Sequence, residues 1–146
     1  MLYGLDEVKI QTALDYASGT SDRNGESCDM SGYQGCIVVL KLAAIAAGGA
    51  NTAKIQCDDN SSFTSALDIE DSKQTIADDD DNQVFVWDVR NVPERYIRVA
   101  VDKDGSHACA ENAIYIKYGA DSRPITNAVA DEVTIETHIW ASTGTA

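Results

Sequence analysis

Several short stretches of the chain alternate apolar and polar residues with a period of two, the pattern of strands buried on one face. Ile55 and Cys57 alternate with Lys54 and Gln56, and Ile97, Val99 and Val101 alternate with Tyr96, Arg98 and Ala100. Further on, Ile114, Ile116 and Tyr118 take one side of a strand whose other side carries Tyr115 and Lys117. The run Gln-Val-Phe-Val-Trp-Asp-Val at 83–89 is rich in the β-branched and aromatic residues that suit a pleated surface, and Pro93 prevents its continuation. The run Cys-Ile-Val-Val-Leu-Lys-Leu at 36–42 is apolar almost throughout, which predicts a central strand covered on both faces. Near the end, 132–140 places Val133, Ile135, Thr137 and Ile139 on one face and Thr134, Glu136, His138 and Trp140 on the other.

Turn residues separate these stretches. Asn24-Gly25, Gly48-Gly49 and Asp104-Gly105 are strong turn dipeptides, and the first predicts a chain reversal. Residues 61–76 are polar and predict a loop pinned by Phe63, Leu67 and Ile69, with at most one helical turn. The first 18 residues hold neither period for long and predict an extended arm, and the small, polar residues 141–146 predict an exposed tail. The expected organisation is an arm at 1–20, a domain at 21–140 and a tail at 141–146. Recurrent strands without a long helix-period segment make that domain all-β, an antiparallel sandwich or jelly roll.

Composition narrows the partners. A chain of 146 residues buries roughly two thirds of its unfolded surface, enough for one domain without a disulfide or metal staple. The net charge of -13 argues against nucleic acid, whose affinity for proteins comes from Lys and Arg displacing counterions. Nine acidic residues and one basic residue, Lys73, lie between 58 and 81, as a water-facing segment would have them. The apolar stretch 36–47 is interrupted by Lys41 and is shorter than the ~20 residues of a bilayer span, so no membrane partner is expected. The first residues lack the basic region of a secretory signal, from which residence in a cytoplasm is expected.

The sequence carries no motif with a catalytic mechanism. Neither a nucleophile elbow nor a glycine-rich phosphate cradle occurs, and His107 and His138 lack partners at metalloprotease spacing. Cys28, Cys36, Cys57 and Cys109 form no C-x-x-C pair and read as reduced, buried small hydrophobes, with a Cys28–Cys36 bridge as the alternative. Asp78, Asp80 and Asn82 begin like a calcium loop, but Gln83 stands where glycine is obligatory and Val89 where the final glutamate belongs. Asp102-Lys103-Asp104-Gly105 carries its glycine two positions early. Neither catalytic residues, nor a cofactor, nor a metal is therefore expected, and aromatic residues read as core or interface anchors in preference to a sugar platform.

Several segments resemble a family of tailed-phage head decoration, or cement, proteins: Ser31-Gly32-Tyr33-Gln34-Gly35-Cys36, Ala-Asp-Asp-Asp-Asp-Asn-Gln at 77–83, Glu94-Arg95-Tyr96-Ile97-Arg98, Ile116-Lys117-Tyr118-Gly119-Ala120 and the ending Gly144-Thr145-Ala146. The N-terminal arm and the four cysteines depart from the family pattern. The resemblance implies a β-sandwich made in a bacterial host cytoplasm that assembles as a homotrimer on the outer capsid surface of the virion. There it would clamp neighbouring copies of a major capsid protein of the HK97-like fold, without catalytic residues. Tyr3, Leu5, Val8 and Ile10 in the arm, with Trp140, are the expected capsid or subunit contacts. The competing expectations are a glycan-binding sandwich on the virion and a head-completion or tail protein.

Overall fold

The structure, a computed structural model, describes residues 4–127 and 133–136. A short 3-10 turn, Leu5–Glu7, leads into strands β1 (Val8–Gly19), β2 (Arg23–Asn24), β3 (Cys28–Asp29), β4 (Gly35–Ile45), β5 (Asn51–Asp58), β6 (Leu67–Asp68), β7 (Gln74–Ile76), β8 (Val84–Arg90), β9 (Tyr96–Asp102) and β10 (Cys109–Tyr118). They form two antiparallel sheets. One has the order β1-β10-β4-β8; the other runs β2-β9-β5-β6, with β3 also on β9 and β7 also on β5. The all-β sandwich expected from the period-two stretches is the observed architecture.

The core lies between the sheets. Val38, Leu40 and Leu42 on β4 and Tyr115 on β10 meet Ile55 on β5 and Ile97, Val99 and Val101 on β9, all without solvent exposure. On β5 and β9 the inward faces are those the alternation predicts. On β10, where alternation alone does not assign the two sides, Ala113, Tyr115 and Lys117 point inward, and Ile114 is exposed. This orientation is stable because the polar ends inside find partners. The Tyr115 hydroxyl donates to the Glu26 carbonyl at 2.9 Å and accepts from the Val99 N–H at 3.0 Å. Lys117 Nζ donates to the Asp29 carbonyl at 2.9 Å and lies 4.4 Å from the centre of the Tyr33 ring.

Three other expectations change. Residues 1–20 are not an arm throughout, since β1 pairs along its length with β10. Register shifts between Thr12 and Leu14 and between Leu14 and Ala17 interrupt its alternation, which hides the strand from a period-two reading. Asn24-Gly25 does not reverse the chain either, because β2 and β3 both run antiparallel to β9 as two pieces of one interrupted strand. Gly25 serves close approach instead. A Cβ there would lie 2.6 Å from the Tyr115 hydroxyl and 2.9 Å from a Val99 methyl. Finally, 133–136 belongs to neither sheet, and the rest of the expected strand at 132–140 lies outside the described residues, as does the tail. In the 61–76 loop, Phe63 is buried and Ile69 packs on the core, but Leu67 is exposed in β6.

Candidate binding surface

The apolar run of β4 supplies two faces, and only the inner one is covered by the opposite sheet. The outer face of the four-stranded sheet follows from the registers. Thr12, Ile114, Val39 and Val86 form one row across β1, β10, β4 and β8; Ile10, Ile116, Ile37 and Asp88 form the next; Val8, Tyr118, Gly35 and Arg90 form a third. Ile114 is 37% exposed, Val84 49% and Val86 58%, while Ile10, Ile37, Val39 and Ile116 are half-buried by one another. Contiguous apolar surface rimmed by polar groups marks a site of association.

The rim is tied together by polar contacts. Gly35 has no side chain, so the Tyr118 ring lies across it; a Cβ there would stand 2.4 Å from the ring. The Tyr118 hydroxyl reaches Asp88, which also holds Arg90 as an ion pair. Arg90, and after it Tyr118, holds the Asp88 carboxyl below its ordinary range. At the other end Lys41 donates to the Asn82 carbonyl.

Of the residues expected at an interface, Val8 and Ile10 sit on this face, and Leu5 is half-buried in the 3-10 turn beside it in sequence. Tyr3 and Trp140 lie outside the described residues. Ile37, Val39, Val86, Ile114 and Ile116 were not expected at an interface. Their signal was present, namely a β4 apolar on both faces and the isoleucines of β10 opposite Tyr115 and Lys117.

The acidic run faces water as expected, with Asp78, Asp79 and Asp81 exposed, and its carboxylates also hold backbone N–H groups. Asp78 Oδ2 accepts from the Gly48 N–H at 2.8 Å, Asp81 Oδ1 from the Ile45 N–H at 2.7 Å, and Asp80 Oδ2 from the Ala77 N–H at 2.7 Å. Asp78 and Asp81 thereby clasp the loop before β8 to the end of β4 and the loop after it, and Asp80 closes a turn within its own loop. Asp104 does the same near β9, accepting from the N–H groups of Ser106 and His107 and from His107 Nδ1 at 2.7 Å. The backbone donors, then the imidazole, hold Asp104 well below the ordinary carboxylate range. Among the described residues no group of three or more His, Cys, Asp and Glu is arranged to hold a metal ion.

No known protein family and no curated protein matches the chain. Solved structures do. A subunit of the Bacillus endospore appendages, described as disulfide-linked pili, is similar with a TM-score of 0.47 and 12% identity, over 82% of this chain and 96% of that one. The SPBc2 prophage-derived protein YomS is similar with a TM-score of 0.43 and 13% identity, over 80% of this chain and 98% of that one. Likeness at these identities concerns the fold alone.

The four cysteines are free and buried, as small hydrophobes in strands would be. Cys28 and Cys36 are in hydrogen-bonding contact across the sandwich, and that contact, with burial, holds the Cys36 thiol far above its ordinary value. The Cys109 thiol is pushed up to about 11, first by burial and then by Glu111. Glu111 itself is fully buried, and its Oε1 accepts from Arg23 Nη1 at 2.8 Å and from Lys103 Nζ at 3.1 Å. Lys103 Nζ also donates to the carbonyls of Gly19 and Cys109. This cluster ties the ends of β1, β9 and β10 together. Two aromatic side chains of β8 are similarly occupied: Trp87 donates to the Ser72 carbonyl at 2.7 Å and meets Phe85 edge to face.

Proposed function

We propose that this protein acts by binding, as a structural subunit of a tailed-phage particle, and that it decorates the outer capsid surface through the outer face of the β1-β10-β4-β8 sheet. The observation that carries the binding role is the row of isoleucines and valines on that face. Full burial of an exposed Ile or Val contributes ~1.5–3 kcal/mol and completing the burial of a half-buried one correspondingly less, so attachment draws on several of them and on contacts that repeat over a lattice. The phage head rests on the resemblant segments, of which Ile116-Lys117-Tyr118 and Gly35-Cys36 belong to the strands that build this face. A homotrimer clamping neighbouring capsid subunits is the corresponding assembly. The net charge of -13 keeps the remaining surface soluble and averse to DNA.

The test adds purified protein to capsids lacking it and measures occupancy and resistance to disruption. Because Val8 and Ile10 are strand residues, point substitutions are the cleaner probe than a terminal deletion. Wild type is expected to saturate discrete sites and to protect the capsid. The Ile37→Lys/Ile114→Lys variant, folded by circular dichroism, is expected to lose at least tenfold in affinity, about 1.4 kcal/mol. Undiminished binding by that variant would rule out this face, and no binding by wild type would rule out decoration.

A further inference from the structure

The two edges of the four-stranded sheet are treated differently. Along β1, the Ile10 N–H donates to Asn127 Oδ1 at 2.8 Å, Asn127 Nδ2 donates to the Val8 carbonyl at 3.0 Å, and the Glu26 N–H donates to the Ala13 carbonyl at 2.8 Å. That edge is capped by the chain itself. β8, the opposite edge, has no strand on its outer side among the described residues. The direction of its backbone groups follows from the registers. Val8 and Ile10 point their backbone groups away from β10, and the Leu42 N–H donates to the Gln83 carbonyl at 2.9 Å. Alternation then turns the N–H and C=O groups of Phe85, Trp87 and Val89 toward β4 and those of Val84, Val86 and Asp88 toward the open side.

Beside this open edge runs a groove of about 450 Å³, walled by Val86, Trp87, Asp88 and Val89 on one side and by Ile69 and Ser72 on the other. An exposed apolar edge with unpaired backbone groups is a template for an added strand. The chain carries a strand-like sequence at 132–140, and its described part, 133–136, belongs to neither sheet. Residues 132–140 put Val133, Ile135 and Ile139 on one face, and in the described part Val133 and Ile135 are half-buried while Thr134 and Glu136 are exposed.

We infer that residues 132–140 of one copy add as a strand to the β8 edge of a second copy. Reach favours the second copy over the same chain. A strand beside β8 lies four strand spacings from β1, about 19 Å at ~4.8 Å each. The steps from Asn127, at the outer edge of β1, to Glu132 extend to at most about 18 Å when fully stretched. Exchange of this kind is head-to-tail and closes into a ring when the rotation permits, which makes it compatible with a trimer. It is separate from capsid attachment and is tested without capsids.

The experiment measures self-association of the full chain by sedimentation and amide exchange by NMR, for wild type, Val86→Pro and Ile135→Asp/Ile139→Asp. Val86→Pro removes an N–H that bonds nothing within its own sheet. Both variants are expected to weaken association at least about tenfold, and the Val86 and Asp88 amides of wild type to be protected only when it is associated. If Val86→Pro does not fold, the segment variant carries the test, because Ile135 lies outside both sheets and neither substitution touches β8. Association that survives the segment substitutions overturns the inference. So does a wild type that is monomeric at all concentrations, whether its amides are protected by its own segment or open.

Discussion

The inner and outer faces of β4 are built from the same kinds of residue and have different fates. Inside, Val38, Leu40 and Leu42 are wholly buried against the second sheet; outside, Ile37 and Val39 are half-buried. Inner residues contribute to folding, because unfolding returns all of their surface to water. Outer residues gain little on folding and retain apolar surface for a partner. Apolar character assigns a position to a buried face, while topology decides whether folding or association does the burying.

The largest expected effect tests whether the inner face depends on full satisfaction of its few charges. Lys103→Met leaves the buried Glu111 carboxylate with Arg23 alone and is expected to cost about 3–5 kcal/mol, read as a lower urea midpoint at constant slope. Next, Leu40→Ala on the inner face is expected to cost about 2–5 kcal/mol by leaving a cavity. Gly25→Ala, which forces a methyl onto the Tyr115 hydroxyl, is expected to cost about 1–3 kcal/mol and to lower the melting temperature.

A gentler probe weakens the clasps at the ends of the sheets and spares both apolar faces. Asp29 is held below its ordinary value first by its hydrogen bond to Arg95, and Asp104 by the Ser106 and His107 N–H groups. Folded values below unfolded ones mean stabilisation that is complete above about pH 4 and lost as pH falls toward the folded values. Melting temperature is therefore expected to decline from about pH 4 downward, and less steeply in Asp104→Asn. The smallest effect completes the comparison: Val39→Thr on the outer face is expected to change stability by no more than about 0.5 kcal/mol while weakening association.

Much of the sandwich was legible because β5, β8 and β9 obey a period of two and end at turn residues. β1 was not, since its two register shifts break that period. The orientation of β10 was illegible for another reason. Isoleucine looks more internal than tyrosine or lysine, and only the Glu26 and Asp29 carbonyls, distant in sequence, make Tyr115 and Lys117 the better inward choices. Val8 and Ile10 were legible as contact residues, though as strand positions and not as an arm. Their neighbours on the face come from β4, β8 and β10, and no linear pattern brings those strands side by side.

Tyr115 joins the Glu26 carbonyl on one segment to the Val99 N–H on another, and burial holds its hydroxyl far above the ordinary phenol value. Such a phenol ionises only after water reaches it. In an alkaline titration its ultraviolet absorbance change will arrive late, together with the opening of the sandwich, so that the protein carries an intrinsic optical reporter of its own integrity.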